Sequence, residues 1–227
     1  MPTRHPSPPR PLSISVDLVL VARVQHELQI CLVQRAGAPR GEWHLPSRIA
    51  HADVSLDESA LAIATTVLGR DPNLLRQARA VVTRAHAGPP TLSVVYFGLT
   101  QRETHLDPSR PAAWVPLSRL PRLAAPQGEA IEIALSEMRR RVDEDPVAFA
   151  LLPEQFTLSE LQLVYELLLG HRLHKASFRR ALLAAVLVQP TEEWRSEARG
   201  RPAQLFRYAP KRKRRSRRAL RFDLLGN

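Results

Sequence analysis

The chain has 227 residues, 44% of them hydrophobic, with a formal net charge of +11 and one cysteine, enough apolar material to pack one or two small domains. The charge is unevenly placed: residues 1–145 carry 17 Lys+Arg against 15 Asp+Glu, whereas residues 146–227 carry 16 against 7, which points the C-terminal part toward a polyanion. A lone Cys31 leaves no intrachain disulfide and suits a reducing cytoplasm, and no apolar run approaches the roughly eighteen residues that a membrane span needs.

Met1 to Leu12 holds five prolines and no apolar h-region, which predicts a flexible arm rather than a signal peptide. Ser13 to Val24 and Leu28 to Gln34 read as strands, with Gln25-His26-Glu27 as a tight connection, so a hairpin is expected. Leu56 to Leu68 reads as a helix opened by the capping box Ser55-Leu56-Asp57-Glu58, whose two acids are favoured in the first turn by the helix dipole. A metal site built on Asp53, Asp57 and Glu58 is the competing use of these carboxylates. Arg79 to Thr83 and Leu92 to Leu99 follow as strands around a Gly88-Pro89-Pro90 turn, then Trp114-Val115 as a short strand. Ile131, Leu135, Met138 and Val142 place an apolar stripe on a helix that Pro146 must end or follow, and this helix joins the two domains.

From Thr157 the pattern changes. Thr157-Leu158-Ser159-Glu160 is a second capping box. Leu158, Leu161, Val164, Tyr165 and Leu168 recur at helical spacing, and Gly170 stands where a left-handed cap is wanted. A second helix turns Phe178, Leu182, Ala185 and Val186 inward and leaves Lys175, Ser177, Arg179 and Arg180 outside the apolar stripe. Val186 to Trp194 and Ala203 to Tyr208 read as strands joined by a turn that contains Arg195, Arg199 and Arg201. Two helices followed by such a hairpin make a winged helix-turn-helix. Its second helix enters the major groove, where each arginine can bond bidentately to guanine. Lys175 at that helix's start is disfavoured by the macrodipole unless a phosphate lies against it. Arg199 and Arg201 sit in the wing, suited to phosphate or minor-groove contact, though Gly200-Arg201-Pro202 also has the composition to shape the hairpin. The alternative for Arg179 and Arg180 is an ordinary solvated face.

The runs Phe156-Thr157-Leu158-Ser159-Glu160-Leu161-Gln162, Val164-Tyr165-Glu166, Leu169-Gly170, Phe178-Arg179-Arg180, Gly200-Arg201-Pro202-Ala203 and Leu205-Phe206-Arg207 closely resemble the DNA-binding domain of Nudix-related transcriptional regulators. These are bacterial repressors often tied to NAD metabolism. The resemblance departs where relatives start the second helix with Asp-Lys-Arg-Asn and this chain has His174-Lys175-Ala176-Ser177, so a different set of bases is expected. It implies an N-terminal Nudix-like α/β/α sandwich around a mixed sheet, followed by the winged helix. Arg40-Gly41-Glu42-Trp43-His44-Leu45-Pro46 is similar to the segment that leads into the Nudix box, G-x5-E-x7-R-E-U-x-E-E-x-G-U. With Gly69 as the last box glycine, its first position is Arg48, the early glutamate is Val54, the Arg-Glu pair is Ala62-Ile63, and the later glutamates are Thr66 and Val67. Nudix hydrolysis needs carboxylates that hold divalent metal against a diphosphate, so no catalytic residues, no metal and no cofactor are expected.

In the family the Nudix domain binds a nucleotide such as ADP-ribose and reports it to the DNA-binding half. Here Ser47-Arg48 replaces a glycine pair, Val82 to Pro89 replaces a loop rich in Asp, Pro and Arg, and Leu123-Ala124-Ala125-Pro126-Gln127 replaces an aromatic followed by Asp-His. The effector is therefore expected to be altered or lost. Arg35, Arg48 and Arg84 are candidate phosphate ligands, since guanidinium matches that geometry, and Trp43 and His44 candidate base or ribose contacts. Each has a plainer alternative, a solvated arginine or, for Trp43, a packed core aromatic.

The tail from Lys211 to Arg218 is basic at seven of eight positions. It suits sequence-independent attachment through counterion release and, lacking aromatics, offers no stacking platform for single strands. The expected organisation is an arm at 1–12, a degenerate Nudix-like domain with its linker helix at 13–145, a winged helix at 146–209 and a basic tail at 210–227. The expected protein is a cytoplasmic regulator that binds double-stranded DNA as a homodimer, since half-site symmetry mirrors protein symmetry, with no membrane partner. The alternatives are a nucleotide diphosphate hydrolase with a DNA-binding domain, and a non-specific nucleic-acid-binding protein that relies on its tail.

Overall fold

The computed structural model describes residues 12–34, 42–83, 90–101, 111–196 and 202–209. The expected arm, except Leu12, and the tail at 210–227 lie outside them, as do Arg35, Arg84, Arg199 and Arg201. β1 (Ser13–Val24) and β2 (Glu27–Val33) form the expected hairpin around Gln25 and His26. Its second strand starts one residue earlier than expected because Glu27 pairs with Val24, and it stops at Val33, which also bridges His44. β3 (Ser47–Ile49) carries no strand signal of its own and forms by pairing with the first half of β1.

Helix α1 (Leu56–Leu68) has the capping box at its start and Gly69 at φ 70 at its end. β4 (Leu74–Thr83) begins well ahead of the expected Arg79, since Arg76 and Gln77 are exposed and a bulge between Gln77 and Arg79 shifts the alternation. β5 (Thr91–Gln101) and β6 (Ala112–Pro116) complete a sheet ordered β4-β5-β1-β2-β6, with β3 also on β1. β1 and β5 run parallel and the other pairs antiparallel, so the sheet is mixed.

The two-residue period of β1 settles both faces. Val16, Leu18 and Leu20, with Val94 and Tyr96, pack under α1, while Val19 and Val21, with Val95, Phe97 and Leu99, turn to the other side. There α2 (Ala125–Arg141) lays down Ile131, Leu135 and Met138, all buried. The result is an α/β/α sandwich. Gly98 marks a close approach within it, since a Cβ there would come within 2.7 Å of Leu20 Cδ2.

The last turns of α2 hold an ion-pair network in which Glu137 accepts from Arg140 at 2.7 Å and from Arg141 at 2.5 Å, and Arg141 faces Asp145 at 3.6 Å. The hydrogen bond from Arg140, with those from Arg141, holds the Glu137 carboxyl down at about 2. A carboxyl depressed in the folded state stabilises above its unfolded value and loses that contribution as pH falls through the folded one. Glu137→Gln is therefore expected to lower Tm at pH 7, with the gap closing between about pH 4 and the folded value of about 2; thermal scans across that range check it.

Beyond the turn at 142–146, α3 (Val147–Ala150), β7 (Gln155–Phe156), α4 (Leu158–Leu169), α5 (Lys175–Ala185), β8 (Val188–Arg195) and β9 (Ala203–Tyr208) follow, with a small sheet ordered β7-β9-β8. The expected strand from Val186 is corrected: Val186 sits at φ 53 as the left-handed cap of α5, and β8 starts two residues later. One apolar core runs from the sandwich into this second unit, joining Phe97 and Met138 to Leu152, Tyr165 and Phe178. Polar ties cross the same seam: Asn73 donates to the Ala150 carbonyl at 2.9 Å, Gln101 to that of Leu152 at 2.6 Å and Arg139 to that of Leu168 at 3.1 Å.

Candidate nucleic-acid interface and sensor pocket

The helix-turn-helix is built from its caps inward. The Thr157 N–H donates to Glu160 Oε2 at 2.8 Å and the Glu160 N–H to Thr157 Oγ1 at 3.1 Å, which fixes where α4 begins. Gly170, at φ 78, ends it. The turn is held from beneath by Glu166, whose Oε1 accepts the Leu173 N–H at 3.0 Å. His174 then caps α5, its Nδ1 lying 3.1 Å from Ser177 Oγ.

Phe178 and Leu182 are fully buried, so helical spacing turns Ala176, Arg180 and Leu183 outward. Lys175 and Arg180 are exposed and Arg179 is half-buried on the flank of that face, its Nε buried without a partner. Ser177 is half-buried and engaged with His174. Leu183, 54% exposed on the line of Arg180, was not among the sequence candidates; its signal is its place opposite Phe178 and Leu182 on the helical wheel. Arg195, at the end of β8, donates to Glu160 Oε1 at 2.9 Å and so ties the stem of the wing to the start of α4.

Of the four positions that sequence spacing aligns with Nudix-box glutamates, two are buried against the sheet, while Val54 is 39% exposed. Ile63 and Val67 are buried beside Val16, Leu18 and Tyr96, and Thr66 is half-buried. Two of the nearby acids, Asp57 and Glu58, have local work. Glu58 completes the cap, accepting from Ser55 N–H at 3.0 Å and Ser55 Oγ at 2.8 Å, bonds that lower its pKa. Asp57 accepts from Tyr96 Oη at 2.6 Å, and burial, with this carboxylate beside it, pushes the Tyr96 phenol up.

On the opposite face Trp43 is half-buried against the core. The His44 backbone bridges Val33 through two bonds of 2.9 Å. Gln127 accepts the Leu45 N–H at 2.8 Å and its Nε2 lies 3.1 Å from His44 Nδ1, so it pins the 43–45 segment to the start of α2. Nearby, Asp17 accepts from Ser15 at 3.2 Å and from Ser93, and Arg48 is exposed on β3. The structure thus brings Trp43, His44 and Gln127 together.

A mixed-sheet Nudix sandwich continuous with a helix-turn-helix and a wing defines a two-part DNA-binding regulator. Residues 148–208 match the NrtR DNA-binding winged helix domain. The ADPR responsive transcriptional repressor NtrR of Acinetobacter baylyi is 31% identical over 213 residues, which cover 88% of this chain and 83% of that protein. The chain belongs to the NrtR family of Nudix-related transcriptional regulators. NrtR of Shewanella oneidensis, crystallised with a 27mer DNA, is similar with a TM-score of 0.77 and 30% identity over 87% of this chain and 94% of that one. A MutT/nudix family protein from Enterococcus faecalis shares the fold, with a TM-score of 0.67 and 19% identity over 91% of this chain and 90% of that one.

Proposed function

We propose that this chain is a cytoplasmic repressor in which α5 reads operator DNA and a non-catalytic Nudix domain senses a nucleotide. The observation that carries the reading is α5 itself, capped at both ends, seated on Phe178 and Leu182, and presenting Lys175, Arg180 and Leu183 outward with Arg179 on its flank. Arg179 and Arg180 contact guanine edges, while Lys175 at the helix start and Arg199 and Arg201 in the wing contact phosphates. Ser177 supports the cap. Leu183 has no charge to offer and suits the methyl group of thymine. Leu183→Ser is expected to weaken binding to operators with thymine at that place by about 1 kcal/mol and to leave non-specific binding unchanged, read by anisotropy on paired duplexes.

The unit boundaries are 13–145 for the sensor and 146–209 for the reader, with a homodimer on a two-fold operator. The sensor is silent in catalysis because Val54, Ala62, Ile63, Thr66 and Val67 stand where Nudix metal chemistry needs charged side chains. Its effector is ADP-ribose or a related nucleotide, the reading favoured by the name of the Acinetobacter baylyi relative. Trp43 and His44 flank the base or ribose, and Arg48, Arg35 and Arg84 meet the phosphates. A ligand with unequal affinity for the DNA-bound and free states shifts operator occupancy by that difference. Calorimetry with ADP-ribose is expected to give saturable binding that Arg48→Ala weakens about tenfold, the worth of one charge-assisted contact. Magnesium-dependent product release from the same sample, abolished by chelation, would overturn the sensor reading in favour of a hydrolase.

A further inference from the structure

A cleft of about 490 Å³ opens where the sandwich meets the winged helix, lined by Arg23, Gln25, Gln101, Leu151, Glu160 and Arg195 among others. That volume is in the range of small-molecule sites, which favour domain junctions. Both units supply its walls. Arg23 and Gln25 come from the end of β1 and the turn after it, Gln101 from the last residue of β5, Glu160 from the first turn of α4, and Arg195 from the last residue of β8.

The charges in this cleft are unequally matched. Arg195 is spent on Glu160 at 2.9 Å, with a second reach of 3.4 Å to the Gln155 carbonyl. Glu160 is likewise occupied, because its other oxygen accepts the Thr157 N–H at 2.8 Å. Among the described residues Arg23 has no carboxylate partner. Its Nη1 donates to the Gln25 carbonyl at 3.1 Å, and its Nε is buried with no partner. Among the described residues the lining therefore holds an unbalanced guanidinium with an unused N–H, beside Gln25, and a guanidinium suits a small oxyanion.

We propose that this junction is a second effector site, which takes a small molecule through a phosphate or carboxylate group on Arg23 and reports it to the wing through Arg195. The Arg23 Nε is shut off from water in its present rotamer, so the guanidinium must turn into the cleft to use it. An anion drawn in beside Arg23 competes with Glu160 for Arg195. Loosening that pair frees the end of β8, from which the wing leaves, and also disturbs the cap of α4. Only this last coupling to DNA rests on the operator-binding reading; occupancy of the cleft does not.

The test uses the full chain carrying 15N-labelled arginine, with no DNA present. The Nε–H signals of Arg23 and Arg195 are identified as those missing from Arg23→Lys and Arg195→Lys, with Arg23→Gln as a second variant should the first fail to fold. Inorganic phosphate and acetate are titrated separately, against sodium chloride at matched ionic strength. The Arg23 signal is expected to shift saturably in at least one arm, the responding arm naming the group, and to do so equally in the Arg179→Ala/Arg180→Ala variant, which removes anion binding at α5. Arg195 is expected to move with the same midpoint. An Arg23 signal that stays fixed in both arms overturns the site, and an Arg195 signal that stays fixed while Arg23 moves overturns its link to the wing.

Discussion

With both Arg179 and Arg180 replaced by alanine, the chain is expected to bind its own promoter no better than a shuffled duplex. Each bidentate arginine is worth about 1–3 kcal/mol of discrimination, so the pair carries at least about a thirtyfold preference. Neither residue is needed to hold α5 in place, because the helix is seated by Phe178 and Leu182 and capped by His174. Fluorescence anisotropy across a salt series separates this effect from simple charge loss. Deletion of 211–227, which removes seven basic residues between Lys211 and Arg218, is expected to flatten the salt dependence for both duplexes and to leave the preference standing. Equal binding to both duplexes by the unmutated chain, unchanged by the double substitution and abolished by salt, would leave the tail as the principal contact and sink the reading of α5.

The sequence announced this helix pair because capping chemistry is local. Thr157 and Glu160 need only each other, and Gly170 needs only its own backbone, so the limits of α4 were legible without any tertiary information. Ser55, Glu58 and Gly69 did the same for α1. Pairing is not local. β3 consists of Ser47, Arg48 and Ile49, a stretch with no strand pattern, and it exists because β1 offers an edge along Ser15 to Asp17. The start of β4 was hidden for a related reason, since a bulge between Gln77 and Arg79 breaks the alternation on which a sequence reading depends. Around His44, sequence could flag Gln127 as a departure from the family pattern. Its bonds to Leu45 and His44 span 82 and 83 residues, a separation that no spacing rule covers. The junction was the least legible part, because Arg23, Glu160 and Arg195 become neighbours only once the two units share a core.

That shared core sets the second large expectation: Phe178→Ala destabilises the whole chain, not only the reader. Phe178 is fully buried, with its ring 5.4 Å from that of Tyr165 in an edge-to-face arrangement. Truncating such a residue costs about 3–5 kcal/mol, through lost burial and the cavity left behind, which for a chain of this size lowers Tm by roughly 10 °C. The same apolar cluster continues through Leu152 and Met138 to Phe97. Unfolding of the reader therefore strips cover from α2 and from one face of the sandwich sheet. Heat is expected to produce one transition in the unmutated chain and one, at lower temperature, in the variant, with tryptophan fluorescence, from Trp43 and Trp114 in the sandwich and Trp194 in the winged helix, and far-ultraviolet circular dichroism melting together. Two transitions, only the first of which moves on substitution, would mean that the sandwich stands without the winged helix. The seam would then be too weak to carry a signal by packing alone, and communication between sensor and reader would have to pass through the polar ties at Asn73, Gln101 and Arg139.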